Sequence, residues 1–308
     1  MKIVFMGTPD FAVAPLEALI ENGHEVTLCV TQPDRMKGRG KEISMSPVKE
    51  CALKHNIPVF QPEKIKAKEA VEELQKYEAD IFVVAAFGQI LSEEILYMPR
   101  LGSVNIHASL LPKLRGAAPI QWSILDGDEN TGVTIMQMAK GLDTGDILSQ
   151  SIVPIEEDTG ESLFDKLSLE GAKLLIETLP KLERGEITPI KQNEAKATYA
   201  QKITKEMGLI NWNEDAAKIE RYVRGLNSWP SAYTTCAGKT LKIWKSALRE
   251  SNGSKPGTIE AVSANDFTVA TGNGALCISE VQLEGKKRMS VHDFLLGYSL
   301  SEGTVLGE

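Results

Sequence analysis

Two uninterrupted apolar runs decide what this chain can fold into. Ile3-Val4-Phe5-Met6 and Ile81-Phe82-Val83-Val84-Ala85-Ala86 offer no polar residue to either face. A strand apolar on both faces belongs inside a parallel sheet that helices cover on both sides. Gly7-Thr8-Pro9 follows the first run, a polar cap with proline at the first helical position. Phe11, Val13, Leu16, Leu19 and Ile20 then give a helix its apolar face, Asn22-Gly23 ends it, and Glu25 to Val30 is the next strand. This strand-helix-strand unit predicts an α/β fold with a Rossmann-like open, mostly parallel sheet. Ser46 to Lys54, Glu69 to Tyr77, Pro119 to Asp126 and Thr159 to Leu182 read as helices. Gly132 to Met138 reads as an edge strand and Ile147 to Val153 as a further strand.

Beyond that sheet the character of the chain changes. Residues 188–205 are polar, with no sustained apolar period, and read as a linker between domains at 1–187 and 206–308. Ala216 to Leu226 is one helix, and Trp229 to Tyr233 turns out of it. Leu241 to Trp244, Gly257 to Val262, Phe267 to Ala270 and Ala275 to Ile278 are short alternating segments. Asn252-Gly253, Asn265-Asp266 and Gly272-Asn273-Gly274 punctuate them, and Val291 to Leu296 is a closing helix. Short, closely spaced strands with such turns suggest a small OB-like β-barrel, a fold that often holds oligonucleotides without proving that it does.

No apolar stretch approaches the roughly 20 residues of a membrane helix, and the amino terminus is a short strand, not a signal peptide. Four scattered cysteines without paired spacing read as reduced thiols of a cytoplasmic protein. The net charge of −8 argues against indiscriminate nucleic-acid binding. Residues 1–205 hold 23 Lys+Arg against 30 Asp+Glu, and residues 206–308 hold 11 against 12. One stretch runs against this balance: Arg35, Lys37, Arg39 and Lys41 alternate with glycines and no acid intervenes. Such a segment is a mobile, solvated loop or a polyanion contact, and the residues alone leave both open. Lys286-Lys287-Arg288 is the same choice in the second domain.

The chemistry falls on Val104 to Gly116. In an extended strand Asn105 and His107 share one face, because side chains alternate with period two. An amide can hydrogen-bond a developing oxyanion, and an imidazole can move a proton near neutral pH. Lys140 to Asp146 adds Asp143 on a glycine-flanked loop. Asn, His and Asp together suit attack of an amine on an acyl carbon without metal or covalent enzyme intermediate. A histidine on an apolar strand is more often a hydrogen-bonded core residue, and that reading stands beside the catalytic one. Three other readings are weaker. Dinucleotide binding lacks its glycine fingerprint, since only Gly7 falls in the first turn. Ser109 has no G-x-S-x-G elbow. Asp143 and Asp146 have no nearby His or Glu to complete a metal site.

Asn105-x-His107-x-Ser109-Leu110-Leu111-Pro112, Arg115-Gly116-Ala117-Ala118-Pro119-Ile120 and Gly141-Leu142-Asp143-Thr144-Gly145 resemble the folate-dependent formyltransferases. Gly7-Thr8-Pro9-Asp10-Phe11 and Thr31-Gln32-Pro33-Asp34-Arg35, with Gly38 to Lys41, narrow the resemblance to the branch that formylates methionyl-tRNA. Ala139-Lys140 depart from it, standing where an acidic residue is usual, and Trp122 has no reading. The resemblance implies a formyltransferase fold, 10-formyltetrahydrofolate as donor and initiator methionyl-tRNA as acceptor, with no metal, in a cytoplasmic monomer. It implies Asn105, His107 and Asp143 as catalytic residues, with Asp143 orienting His107. Phe87, Gly88 and Leu91, with Ser109, Leu110, Leu111 and Pro112, would line the folate site. Arg35, Lys37, Arg39 and Lys41 would contact tRNA. Two alternatives remain: a folate-dependent formyltransferase or formyltetrahydrofolate hydrolase acting on a small molecule, and a non-enzymatic tRNA-binding module.

Overall fold

The computed structural model describes residues 1–37 and 42–307. Packing divides the chain into two units. The first is Met1–Pro119, Asn130–Pro154 and Phe164–Ala200; the second is Ile120–Glu129, Ile155–Leu163 and Gln201–Glu308. Both are discontinuous in the chain, whereas the sequence groups 1–187 together.

The first unit begins with β1 (Lys2–Gly7), after which a 3-10 turn over Asp10–Ala12 precedes α1 (Val13–Glu21). Pro9 is the N-cap of this tighter turn and no side chain caps it; Thr8, expected as the cap, donates from Oγ1 to the Phe87 carbonyl instead, and the α-helix follows the turn. β2 (Glu25–Val30) leads to β3 (Arg35–Lys37) and β4 (Glu42–Ser44), which pair antiparallel. The basic segment expected as a loosened loop thus carries backbone pairing at Arg35–Ser44 and Lys37–Glu42. α2 (Pro47–Lys54) is capped by Ser46, whose Oγ accepts from the Lys49 N–H at 3.1 Å. β5 (Val59–Phe60), α3 (Lys68–Leu74), β6 (Ile81–Ala85), α4 (Glu93–Leu96) and β7 (Ser103–His107) follow. Next are β8 (Arg115–Gly116), α5 (Pro119–Leu125, which belongs to the second unit from Ile120 on), β9 (Asn130–Gln137), β10 (Ile147–Pro154), α6 (Gly160–Glu183, which belongs to the first unit from Phe164 on) and β11 (Tyr199–Ala200).

The main sheet has the order β10-β9-β7-β6-β1-β2-β5. β1, β2, β5, β6 and β7 run parallel, and β9 and β10 are added antiparallel. β9 is therefore interior, not the edge strand the sequence suggests. Its Val133, Ile135 and Met136 are buried, while β10 alternates half-exposed Ser149 and Ser151 with exposed Gln150 and Ile152 and forms the edge. Residues opposite one another in a sheet share a face. The register puts Met6, Val84, Asn105 and Met136 in one row across four strands. Val104, Ile106, Val133 and Ile135 take the other face, where α6 brings Gly171 so close that a Cβ would lie 2.9 Å from Ile106 Cγ2. Within residues 188–205, read from the sequence as a linker, Ile190 bridges Ile147 and β11 pairs parallel with β8.

The second unit holds α7 (Ala216–Gly225), β12 (Ala232–Cys236), β13 (Lys239–Arg249), β14 (Ile259–Val262), β15 (Phe267–Ala270), β16 (Ala275–Leu283), β17 (Met289–Ser290) and α8 (Val291–Gly297). Its antiparallel sheet runs β12-β13-β16-β15-β14, with β17 on β16. Trp212, Val223, Leu241, Phe267 and Phe294 are among the residues of its hydrophobic core. β12 was concealed in the sequence by Trp229-Pro230, which reads as a turn. This unit is β-rich, and no closed barrel is found among the described residues. Trp122, without a sequence reading, donates from its indole to the Gln201 carbonyl at 2.8 Å.

Candidate active site

β7 ends at His107, at the carboxyl edge of the sheet where open α/β sheets gather their ligands. Asn105 and His107 are 9% and 6% exposed, so each sits at the floor of the surface. Among the described residues no hydrogen bond engages the Asn105 amide. Directly after His107 the chain folds back over β9. Ser109 Oγ donates to the Lys113 carbonyl at 2.6 Å, and Thr134 Oγ1 donates to the Ser109 carbonyl at 2.7 Å. The Leu111 N–H donates to the same Thr134 hydroxyl at 3.1 Å. With its own hydroxyl spent in this turn and its side chain buried, Ser109 is no nucleophile.

The turn ends at Leu114, a non-glycine residue in the left-handed region with φ +57°. A conformation of this kind costs about 1–3 kcal/mol and persists only where its surroundings impose it. Here it aims the Leu114 carbonyl at His107 Nε2, 3.0 Å away. A carbonyl can only accept, so Nε2 carries a proton in both charge states of the ring. Nδ1 faces Asp143 Oδ2 at 3.8 Å, too far for a direct hydrogen bond and near enough for charge attraction. Asp143 Oδ2 also accepts from the Gly116 N–H at 2.8 Å. Gly116 has to be glycine, because with φ +112° a Cβ would meet the Ala200 carbonyl oxygen at 2.8 Å. Asn105, His107 and Asp143 are thus neighbours, and the two faces left for a reactant are the free Asn105 amide and the Nδ1 side of His107.

A second layer holds this trio. Arg115 is fully buried and donates from Nε and Nη2 to Gln192 Oε1 at 3.0 and 2.8 Å. Its Nη1 and Nη2 also reach the two Glu194 oxygens at 2.9 and 2.7 Å. Gln192 Nε2 in turn donates to the Asp143 and Gly145 carbonyls, both at 2.7 Å. The hydrogen bonds from Arg115 hold the Glu194 carboxyl below its ordinary value of 4.5. A depressed carboxylate stabilises the fold above the unfolded pKa and loses that contribution as pH falls through the folded one. Glu194→Gln is therefore expected to shrink the loss of stability on going from pH 6 to pH 3, read as the urea midpoint at each pH.

The expected folate residues divide by what they present. Phe87, Leu91 and Leu111 have buried side chains, so only their backbone is available to a ligand, and Leu110 turns against Gly132 of β9. The Phe87 carbonyl accepts from Thr8 Oγ1 at 2.9 Å and Gln32 Nε2 at 3.2 Å. Gly88, with φ +84°, follows in the left-handed region. The sequence reading missed Ile90 and Leu142, which are 74% and 59% exposed on the two segments that flank the trio. Lys140 bridges those segments through Glu93 at 3.5 Å. A neighbouring cleft of about 530 Å³, walled by Thr8, Pro9, Gln32, Met45, Ala86 and Phe87, opens at the carboxyl edges of β1, β2 and β6. Arg35, exposed, stands on its rim. Lys37 contributes backbone pairing to β3, while Arg39 and Lys41 lie outside the described residues.

One Cys-His-carboxylate trio exists among the described residues, Glu17, Cys51 and His55, with ligand atoms within 4.8 Å of one another. It lies on α1 and the end of α2, not on the loops of the site. Burial pushes the Cys51 thiol up to about 11, so it is protonated at neutral pH, and Lys54 stands 3.8 Å from Glu17. Among the described residues the site sets no cysteine or second histidine beside His107.

The formyl transferase family model matches residues 1–179, and the formyl transferase C-terminal domain model matches residues 202–299. A protein of Agathobacter rectalis named methionyl-tRNA formyltransferase is 56% identical over 306 residues, covering 99% of both chains. One of the same name from Bacillus subtilis is 52% identical over 309 residues, covering 99% of this chain and 98% of that one. Among solved structures, the N-formyltransferase from Helicobacter canadensis in complex with folinic acid and dTDP-3-aminofucose superposes with a TM-score of 0.68 at 21% identity. It covers 94% of this chain and 100% of its own, and at that identity the likeness concerns the fold.

Proposed function

This chain belongs to the formyl transferase family, and from that premise we propose that it transfers the formyl group of 10-formyltetrahydrofolate to the α-amino group of methionyl-initiator tRNA. The product is N-formylmethionyl-tRNA, the form used to initiate translation. The observation that carries the proposal is the convergence of Asn105, His107 and Asp143 at one sheet edge with the Asn105 amide uncommitted. Identity near 50% along the whole chain to proteins named for this reaction favours the tRNA acceptor over a small-molecule one.

In the proposed reaction the neutral amine attacks the formyl carbon, a C–N bond forms, and the carbonyl electrons move onto oxygen. Asn105 Nδ2 donates to that oxygen. His107 can add a second donor only through Nδ1, since Nε2–H is committed to Leu114, and therefore only as the imidazolium. Asp143, 3.8 Å from Nδ1, stabilises that charge, and a water or the amine itself, bridging the two from their open side, passes on the amine proton. Collapse breaks the bond to folate N10, which takes up a proton as tetrahydrofolate leaves. Nothing in this sequence asks for a metal.

The exposed Ile90 and Leu142 are read as a clamp on the flat rings of the donor over the 87–91 backbone and the 109–112 turn. Removing an apolar wall of this size is worth about 1.5–3 kcal/mol. Ile90→Asp is accordingly expected to raise KM for the formyl donor about tenfold or more, with kcat within about threefold, in steady-state assays. The adjoining cleft under Met45 is read as the seat of the aminoacyl end, with Arg35 at its rim toward the phosphates. Residues 1–187 would supply catalysis, 188–205 the connection and 206–308 tRNA binding on an OB-like fold. That last reading is supported by the chain end: Thr304 and Leu306 bond the β14 side while the Gly307 N–H reaches the Thr235 carbonyl of β12. The protein would act as a cytoplasmic monomer.

The test is to follow labelled formyl from 10-formyltetrahydrofolate. Label on the methionyl moiety of tRNA is expected. Label released as formate, moved to a small amine only, or not moved at all would overturn the proposal.

A further inference from the structure

We propose that Gln192, in the segment that the sequence presents as a plain linker, is a positioning residue for catalysis that clamps the backbone of the Asp143 loop. The proposal rests on the formyl-transfer reading above. Its basis is the way hydrogen-bond polarity fixes this amide. The Arg115 guanidinium can only donate, so the Gln192 atom it meets, at 3.0 and 2.8 Å, is Oε1. The Asp143 and Gly145 carbonyls can only accept, so the atom facing both, at 2.7 Å, is Nε2. No flipped amide satisfies both sides. Both Nε2 hydrogens are used, one on each carbonyl that brackets Thr144.

That clamp matters because Asp143 is held in the left-handed region, with φ +53°, where an aspartate side chain has only a shallow preference to stay. Among the described residues its carboxylate has a single backbone anchor, the Gly116 N–H, and stands 3.8 Å from His107. Gly116 follows Arg115 directly, so one dipeptide holds Asp143 twice: through its own N–H at the carboxylate, and through Gln192 at the backbone. Leu114, the preceding residue, holds His107 Nε2. A shift of about 1 Å in a group that must meet the transition state can cost about 100-fold in rate. Removing the clamp is therefore expected to act on kcat and not on substrate affinity.

Two variants of nearly the same volume separate the contributions. Gln192→Glu can still accept from Arg115 but cannot donate to either carbonyl; Gln192→Met can do neither. Asn193→Ala, which removes only a local bond to the Ala195 N–H at 3.0 Å, controls for loosening of the segment. Steady-state formyl transfer is measured at a temperature well below each variant's Tm, with KM determined for donor and acceptor. Expected are kcat losses of about 10–100-fold in both Gln192 variants, KM values within about threefold, and wild-type kcat in Asn193→Ala. Wild-type kcat in Gln192→Glu would overturn the proposal. So would a rise in KM at unchanged kcat, an equal loss in Asn193→Ala, or failure of both Gln192 variants to fold, which would make the residue structural. Absence of transfer by the wild type would instead sink the formyl-transfer reading itself.

Discussion

Asn105→Ala is expected to lower kcat by about 10²–10³-fold, equivalent to about 2.7–4 kcal/mol, while the protein keeps its fold. The size follows from geometry. The amide is 9% exposed, engages no other group among the described residues, and shares its strand face with His107, so its loss removes a donor that water cannot readily replace. The fold survives because Val84 and Met136 on either side of Asn105 are apolar and no partner is left stranded. His107→Ala is expected to lose activity to a similar degree and also to destabilise by about 1–3 kcal/mol, since the Leu114 carbonyl is left without its donor. Purified variants turning over at wild-type rates would remove both residues from the mechanism. Activity of the wild type should also fall in acid, because the attacking amine must be uncharged.

Gly145→Ala is the second large effect. A Cβ there would lie 1.6 Å from the Gln137 carbonyl oxygen and 2.8 Å from its carbon, atoms of β9 that cannot rotate away. The loop has to move by more than an ångström, and Gln192 and Gly116 then no longer find their acceptors in it. A loss of about 100-fold or more in kcat is expected, with about 1–3 kcal/mol of destabilisation from overpacking. Gly141→Ala makes the contrast: its Cβ would meet Thr144 Oγ1 at 2.3 Å, the end of a side chain that can turn. A small effect there and a large one at Gly145 would separate steric displacement of the loop from loss of glycine as such.

Why the neighbours Asn105, His107 and Asp143 could be picked out of the chain as candidates and their supports could not is a matter of range. Period-two alternation put Asn105 and His107 on one face without reference to any other residue, and the apolar runs Ile3–Met6 and Ile81–Ala86 placed their strands in the sheet by the same local rule. Gln192 and Glu194 left no such trace. They lie in a polar stretch without periodicity, and they matter only because Arg115, 77 positions away from Gln192, is buried against them. The edge assignment of Gly132–Met138 failed for a related reason. Which strand receives β10 is decided by long-range pairing, and only the half-exposed serines of β10 hint that it, not β9, faces solvent. Ile90 and Leu142 were passed over because isolated exposed apolar residues are ordinary. What singles them out is their position on two segments joined by Lys140 and Glu93.

The central claim is that one formyl carbon is held between the Asn105 amide and the Nδ1 side of His107. Diffraction from crystals of this protein soaked with 5-formyltetrahydrofolate, a stable isomer of the donor, tests it most directly. The formyl oxygen is predicted within about 3.2 Å of Asn105 Nδ2, with His107 Nε2 still on the Leu114 carbonyl and the ring system against Ile90 and Leu142. A folate bound with its formyl group out of reach of Asn105, or a His107 turned to present Nε2 to the ligand, would contradict the account.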